Sequence, residues 1–167
     1  MTETMNTLLI VFHSLTGGAR QMAEAAASGA EGEADVSVRL LPAACTQPAD
    51  ILAAQGYIFA TPENLASMAG VMKDFFDRCY YPVLERINGR PYAALVCAGN
   101  DGRNTVRQIE RIATGWRLQP IAEPLIVCTR AQTPEQILAP KTINPEDRSA
   151  CKDLGKAFAA GLAMGIF

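Results

Sequence analysis

The chain has 167 residues, 49% of them hydrophobic and 19% charged, which suits one domain over residues 1–167 with a substantial core and excludes intrinsic disorder. Fifteen Lys and Arg against 17 Asp and Glu leave a net charge of −2, and without a basic run to follow a phosphate backbone no nucleic-acid partner is expected. No apolar stretch reaches the roughly 18 residues of a membrane span, and Met1–Asn6 lacks the basic start of a signal peptide, so a cytoplasmic protein without a membrane partner is expected. Cys45, Cys79, Cys97, Cys128 and Cys151 include no C-x-x-C pair, and His13 is the single histidine. Neither a disulfide framework nor a metal site is expected.

Thr7–His13 (TLLIVFH) is a continuous apolar, β-branched run that reads as a strand buried on both faces. After Gly17 and Gly18, the residues Met22, Ala23, Ala26, Ala27 and Ala30 recur at helical spacing. Asp35–Leu41 reads as a second strand, and a loop with a short helix around Ala49–Ala54 follows. Gly56–Thr61 is a third strand closed by Pro62. Met68, Val71, Met72, Phe75, Phe76 and Cys79 then form the strongest helical stripe in the chain. Pro91–Ala98 is a fourth strand, and Val106, Ile109, Ile112, Ala113 and Trp116 mark a helix. A fifth strand lies within Pro120–Cys128. A Pro-rich connection, Thr133 to Pro145, leads to a last helix from about Pro145 to Gly165. Its Ala/Gly-rich part, Ala157 to Gly165, reads either as a packing face for a second subunit in a homodimer or as close packing on the sheet.

Five alternations of strand and helix predict a parallel sheet with helices on both faces. Ligands of such sheets bind beyond the carboxyl ends of the strands, which directs attention to the loops after strands one, three and four. Those loops lack a Walker A sequence, a G-x-G-x-x-G turn and the acidic strand ends of a phospho-acceptor domain. Cys97 to Arg103 fits the C-x5-R spacing of a phosphatase loop, but Asn104 stands where a Ser or Thr would assist the thiolate. Cys97 reads more simply as a buried residue of strand four. Ser14-Leu15-Thr16-Gly17-Gly18-Ala19 joins a buried strand to a helix N-terminus, where free N–H groups and the helix dipole favour an anion. With no lysine in the loop, a monophosphate suits it better than a triphosphate; a plain N-cap turn is the other reading.

These residues resemble a family. Ser14-x-Thr16-Gly17 is similar to the phosphate loop of flavodoxins. Tyr57–Arg78 (YIFATPENLASMAGVMKDFFDR) resembles the T-P-x5-M-x-G-x-M-K-x-F-x-D-R segment of flavodoxin-like NAD(P)H-dependent FMN and quinone reductases, and Leu95–Leu118 resembles their third flavin loop and following helix. The resemblance implies an α/β, three-layer flavodoxin-like fold with a five-stranded parallel sheet in the order 2-1-3-4-5. It also implies FMN as cofactor. Ser14, Thr16, Gly17, Gly18 and Ala19 would hold the phosphate. Thr61, Pro62, Glu63, Asn64 and Leu65 would line the isoalloxazine, with Met68 and Gly70 closing the loop. Gly99, Asn100, Asp101 and Gly102 would border the other edge of the ring.

Two departures from the family pattern predict weaker flavin retention. Ala19 replaces the last hydroxyl of the phosphate loop, and Leu65-Ala66-Ser67 stands where many relatives carry an aromatic and a glycine. Arg20, in the first turn of the first helix, is the nearest cation that could replace the lost hydroxyl. The implied function is an FMN-binding oxidoreductase that passes electrons from NAD(P)H through FMN to a flavin, quinone or similar small acceptor. The flavin supplies the chemistry, so no catalytic acid or base is assigned. The alternatives are an electron carrier that docks on a redox partner protein, and a module that has lost tight FMN binding.

Overall fold

The computed structural model describes residues 5–167, so the first four residues of the Met1–Asn6 reading lie outside the described part. In chain order the elements are β1 (Asn6–Phe12), α1 (Gly18–Ala30), β2 (Val36–Pro42), α2 (Pro48–Ala53), β3 (Gly56–Asn64), β4 (Ser67–Met68), α3 (Gly70–Val83), β5 (Pro91–Ala98), α4 (Arg103–Gly115), β6 (Gln119–Pro120), β7 (Leu125–Cys128), α5 (Pro134–Leu138) and α6 (Pro145–Ala163). The parallel sheet runs β2-β1-β3-β5, and β6 and β7 follow one another along the far side of β5. This is the flavodoxin-like order 2-1-3-4-5, with β6 and β7 together in the fifth place.

The period-two alternation of β1 divides the core. Leu8 and Ile10 point to the layer of α1 and α6, where they meet Met22, Ala26 and Phe158. Leu9 and Val11 point to the layer of α2, α3 and α4, among Met72, Phe75, Phe76 and Ile109. In that second layer Phe59 meets Phe76 edge-on at 5.0 Å between ring centroids, and Phe76 meets Trp116 at 5.4 Å. Edge-to-face pairs of this kind add about 0.5–1.5 kcal/mol beyond their buried area.

The small residues of α6 are used within the chain. A Cβ on Gly155 would collide with the Ala26 backbone of α1, and one on Gly29 with the Lys152 backbone of α6. A Cβ on Gly56 would come within 2.6 Å of the Phe158 ring. Within Ala157–Gly165, Phe158, Ala159 and Leu162 are buried in the core layer shared with α1 and the sheet.

Three boundaries differ from the sequence reading. The fifth strand is split because Pro120 and Pro124 cannot donate to a ladder, leaving Gln119–Pro120 and Leu125–Cys128 as separate pieces. The third strand continues past Pro62, which pairs with Cys97, to Asn64. Met68 belongs to a return strand, with Glu63 opposite Met68 and Asn64 opposite Ser67, so the helix starts at Gly70. The connection from Thr133 also holds a short helix, α5, whose start carries a capping box between Thr133 and Gln136.

Candidate functional site

The loops after β1, β3, β5 and β7 converge on one cleft of about 380 Å³ beyond the carboxyl ends of the strands, where a doubly wound sheet places its ligands. Of the residues singled out in the sequence, Ser14, Thr16, Gly18, Ala19, Pro62, Glu63, Asn64, Leu65 and Gly99 form its wall. Among the described residues no aromatic side chain lines it. Leu15, Leu65, Ile137 and Leu138 are its large exposed apolar groups, Leu65 being fully exposed.

The first wall is the turn between β1 and α1. Gly17 is the N-cap with φ +98°, a conformation that glycine adopts without Cβ strain, and its N–H donates to Ser14 Oγ at 3.0 Å. Gly18 lies against strand β5, where a Cβ would collide with Cys97 Sγ. The N–H groups of Gly18, Ala19 and Arg20 have no partner within the helix, as at any helix start. The first turn carries no acidic side chain. Arg20 does not serve this loop: its Nε bonds Glu24 Oε1 at 2.7 Å along the exposed helix surface.

The second wall is the hairpin of β3 and β4. Its two turn residues, Leu65 and Ala66, have φ +51° and +62°, the pattern of a tight hairpin turn that ordinarily favours Asn and Gly. Helix α4 pins it. Asn104 Nδ2 donates to the Ala66 carbonyl at 2.6 Å, and Gln108 accepts from the Met68 N–H at 2.8 Å while donating to Ser67 Oγ at 3.2 Å. Glu63 Oε1 accepts from the Gly102 N–H and Oε2 from the Thr105 hydroxyl, both at 3.0 Å. The one carboxylate that the described residues place in the cleft wall is thereby engaged at the start of α4. Thr61 is buried behind the wall and accepts from the Ala69 N–H at 3.3 Å. Met68 and Gly70 line a separate groove on the outer side of the hairpin.

The loop after β5 contributes Gly99 to the wall and turns away at Asn100. Asn100 Oδ1 accepts from Gln132 at 2.7 Å, Asp101 pairs with Arg103 at 2.6 Å, and Gly102, φ +87°, is the N-cap of α4. The same contacts dispose of the C-x5-R reading. Burial pushes the Cys97 thiol up to about 11, and Arg103 is held outward by Asp101.

The third wall is formed by Thr129 and Ala131, just after the last strand, and by Ile137, Leu138 and Lys141, which the sequence reading left in the connection from Thr133 to Pro145. The Lys141 N–H donates to the Thr16 carbonyl at 2.8 Å, which lays this segment across the loop after β1. Lys141 Nζ bonds the Ile137 and Ala139 carbonyls at 2.8 and 2.6 Å, and among the described residues its side chain is the only cation in the cleft wall. The available signal was Thr133 and Pro134 opening a short helix directly after the last strand. Leu15, Cys97 and Ala98 complete the lining.

A flavodoxin-like α/β chain with its cleft at the switch in strand order is the class these features define. A family model described as NADPH-dependent FMN reductase matches residues 47–132, just over half of the chain. The chain belongs to that family, with FMN as its cofactor. It is 34% identical to an NAD(P)H dehydrogenase (quinone) of Acidithiobacillus ferrooxidans over 44% of this chain and 47% of that protein. To a flavodoxin of Aquifex aeolicus it is 30% identical over 59% of this chain and 53% of that protein. The chain thus spans about half the length of the curated relatives it matches. Among solved structures, an archaeal flavodoxin superposes with TM-score 0.77 over 93% of this chain and 98% of its own, at 19% identity. A WrbA-like flavodoxin from Agrobacterium tumefaciens gives 0.72 over 96% and 98%, at 17% identity. Those two likenesses speak for the fold. Among the described residues no helix is long and apolar enough to cross a membrane.

Proposed function

We propose that the chain, as one domain, takes electrons from NAD(P)H and passes them through FMN in this cleft to a small acceptor such as a free flavin or a quinone. The observation that carries the reading is a phosphate-sized turn, free of acidic groups, with Lys141 in the wall of the same cleft. The cleft fits FMN. Unpaired N–H groups at the start of α1, with Ser14 and Thr16 hydroxyls beside them, suit a phosphate dianion. Leu65, Pro62, Ile137 and Leu138 give an isoalloxazine apolar surfaces.

In this reading Ser14, Thr16, Gly18 and Ala19 hold the phosphate, with Gly17 setting the turn, and Lys141 supplies the cation that Arg20 does not. Pro62, Asn64 and Leu65 form one side of the ring site, and Gly99 with Ala98 the other. Thr61, Asn100, Asp101 and Gly102 act from behind by fixing the loops. FMN, when bound, supplies the acceptance of hydride and its onward transfer, so the protein contributes position and electrostatics. Glu63, with both oxygens engaged, stays out of proton transfer and keeps the hairpin in register. The lack of an aromatic stacking side chain leaves a ring face open to a nicotinamide.

The second reading, an electron carrier without turnover of its own, is favoured by the flavodoxin relative. Anaerobic mixing of the FMN-loaded protein with NADPH and with NADH separates the two. Rapid loss of the flavin's visible absorbance supports the reductase. Absorbance that persists with both nucleotides and disappears only with a chemical reductant supports the carrier.

A further inference from the structure

A second groove of about 430 Å³ lies on the outer side of the hairpin, between the start of α3 and the middle of α4. Met68 and Ile112 give it an apolar floor, Lys73 stands on the α3 rim and Arg111 on the α4 rim. A Cβ built on Gly70 would meet nothing within 4 Å, so the floor is open there. Lys73 is paired with Asp77 at 2.7 Å. Arg111 stands on the exposed side of α4, and among the described residues it has no carboxylate partner within ion-pair distance. An apolar floor with the Arg111 guanidinium and the Lys73 ammonium at its two rims matches an aromatic base joined to phosphate, because Arg pairs with phosphate through a rigid fork of donors.

Its position narrows the ligand. Pro62 to Leu65 line the FMN cleft, and Ser67 and Met68, on the return strand of the same hairpin, line the groove. One ribbon of two strands, about 4.8 Å apart, separates the two. We infer that this groove takes the 2′-phosphorylated adenosine end of NADPH, the dinucleotide crossing the hairpin tip so that its nicotinamide reaches the FMN cleft. The inference rests on the reductase reading above. A phosphate monoester carries about −1.5 to −2 charges at neutral pH, and it is the feature that NADH lacks.

The test is calorimetric titration of the FMN-loaded protein with adenosine 2′,5′-bisphosphate and with adenosine 5′-monophosphate. The bisphosphate should bind about 10–150-fold more tightly, the worth of one charge-assisted contact. Arg111→Ala should remove most of that preference and Lys73→Ala part of it, with FMN affinity unchanged in both. In turnover, Arg111→Ala should raise KM for NADPH and leave kcat and the KM for NADH in place. Equal binding of the two nucleotides, or a preference that survives Arg111→Ala, overturns the assignment. So does sedimentation showing a dimer whose groove admits neither nucleotide. Failure of the site is distinguishable from failure of the reductase reading. A flavin bleached by NADPH without nucleotide preference loses only the site, whereas a nucleotide preference without bleaching loses only the reductase.

Discussion

Gln21 and Lys141, 120 positions apart, are joined by a 2.6 Å hydrogen bond from Gln21 Nε2 to the Lys141 carbonyl. Gln21 Nε2 also donates to the Gly17 carbonyl at 3.0 Å, while its Oε1 accepts from the Ile143 N–H and from Arg148, each at 3.0 Å. One amide on α1 thus fastens the segment bearing Lys141 to the turn bearing Gly17.

Gln21→Leu removes all four bonds and leaves partly buried carbonyl and N–H groups unpaired, at about 1–3 kcal/mol. For a chain of this size each kcal/mol lowers Tm by about 2–4 °C. FMN affinity should fall as well, because the third wall is no longer held. Thermal melts with and without FMN check this, and an unchanged FMN affinity would detach Gln21 from the site.

Lys141 and Arg20 are expected to behave differently. Lys141→Met should weaken FMN about 10–150-fold and change riboflavin little, since riboflavin has no phosphate. Arg20→Ala should affect neither, because its guanidinium is occupied with Glu24. Fluorescence titration with both ligands checks the pair of variants.

Two neighbouring left-handed residues without a glycine carry strain at the hairpin tip, since that conformation costs an L residue about 1–2 kcal/mol. Ala66→Gly should therefore stabilise the protein by about 1 kcal/mol, or about 2–4 °C in Tm. It keeps Leu65 and the carbonyl that accepts from Asn104. A lower Tm would show that the turn is not strained.

Cys79, Cys97 and Cys151 are buried, and burial pushes each thiol up to about 11. In the unfolded chain they ionise near 9.0, while the folded thiols stay protonated until about 11. Stability from these groups is whole below pH 9 and is lost as pH rises toward 11. Denaturant midpoints should fall over that interval. At neutral pH a maleimide should label exposed Cys45 readily and these three only after unfolding.

The strands and helices that pack the sheet were legible because their apolar periods are long and unbroken, as in Leu8–Val11 and Met72–Cys79. So was the turn from Ser14 to Ala19, whose glycines and hydroxyls mark a helix start. The hairpin was not, because Leu65-Ala66 has none of the usual turn chemistry and Met68 happens to continue the spacing of α3. Lys141 was hidden for another reason. Its place in the cleft depends on a bond to Thr16 more than a hundred residues earlier, which no local pattern reports. Arg20 illustrates the converse: near the loop in sequence, it is turned to Glu24 by ordinary i,i+4 pairing.

Calorimetric titration of the FMN-free protein with FMN and then riboflavin tests the central claim most directly, because the two ligands differ only in the phosphate assigned to the Ser14–Ala19 turn. The account predicts one FMN per chain, bound at least 10-fold more tightly than riboflavin, the low end of a charge-assisted contact. Equal affinities, or no heat with FMN, would contradict it.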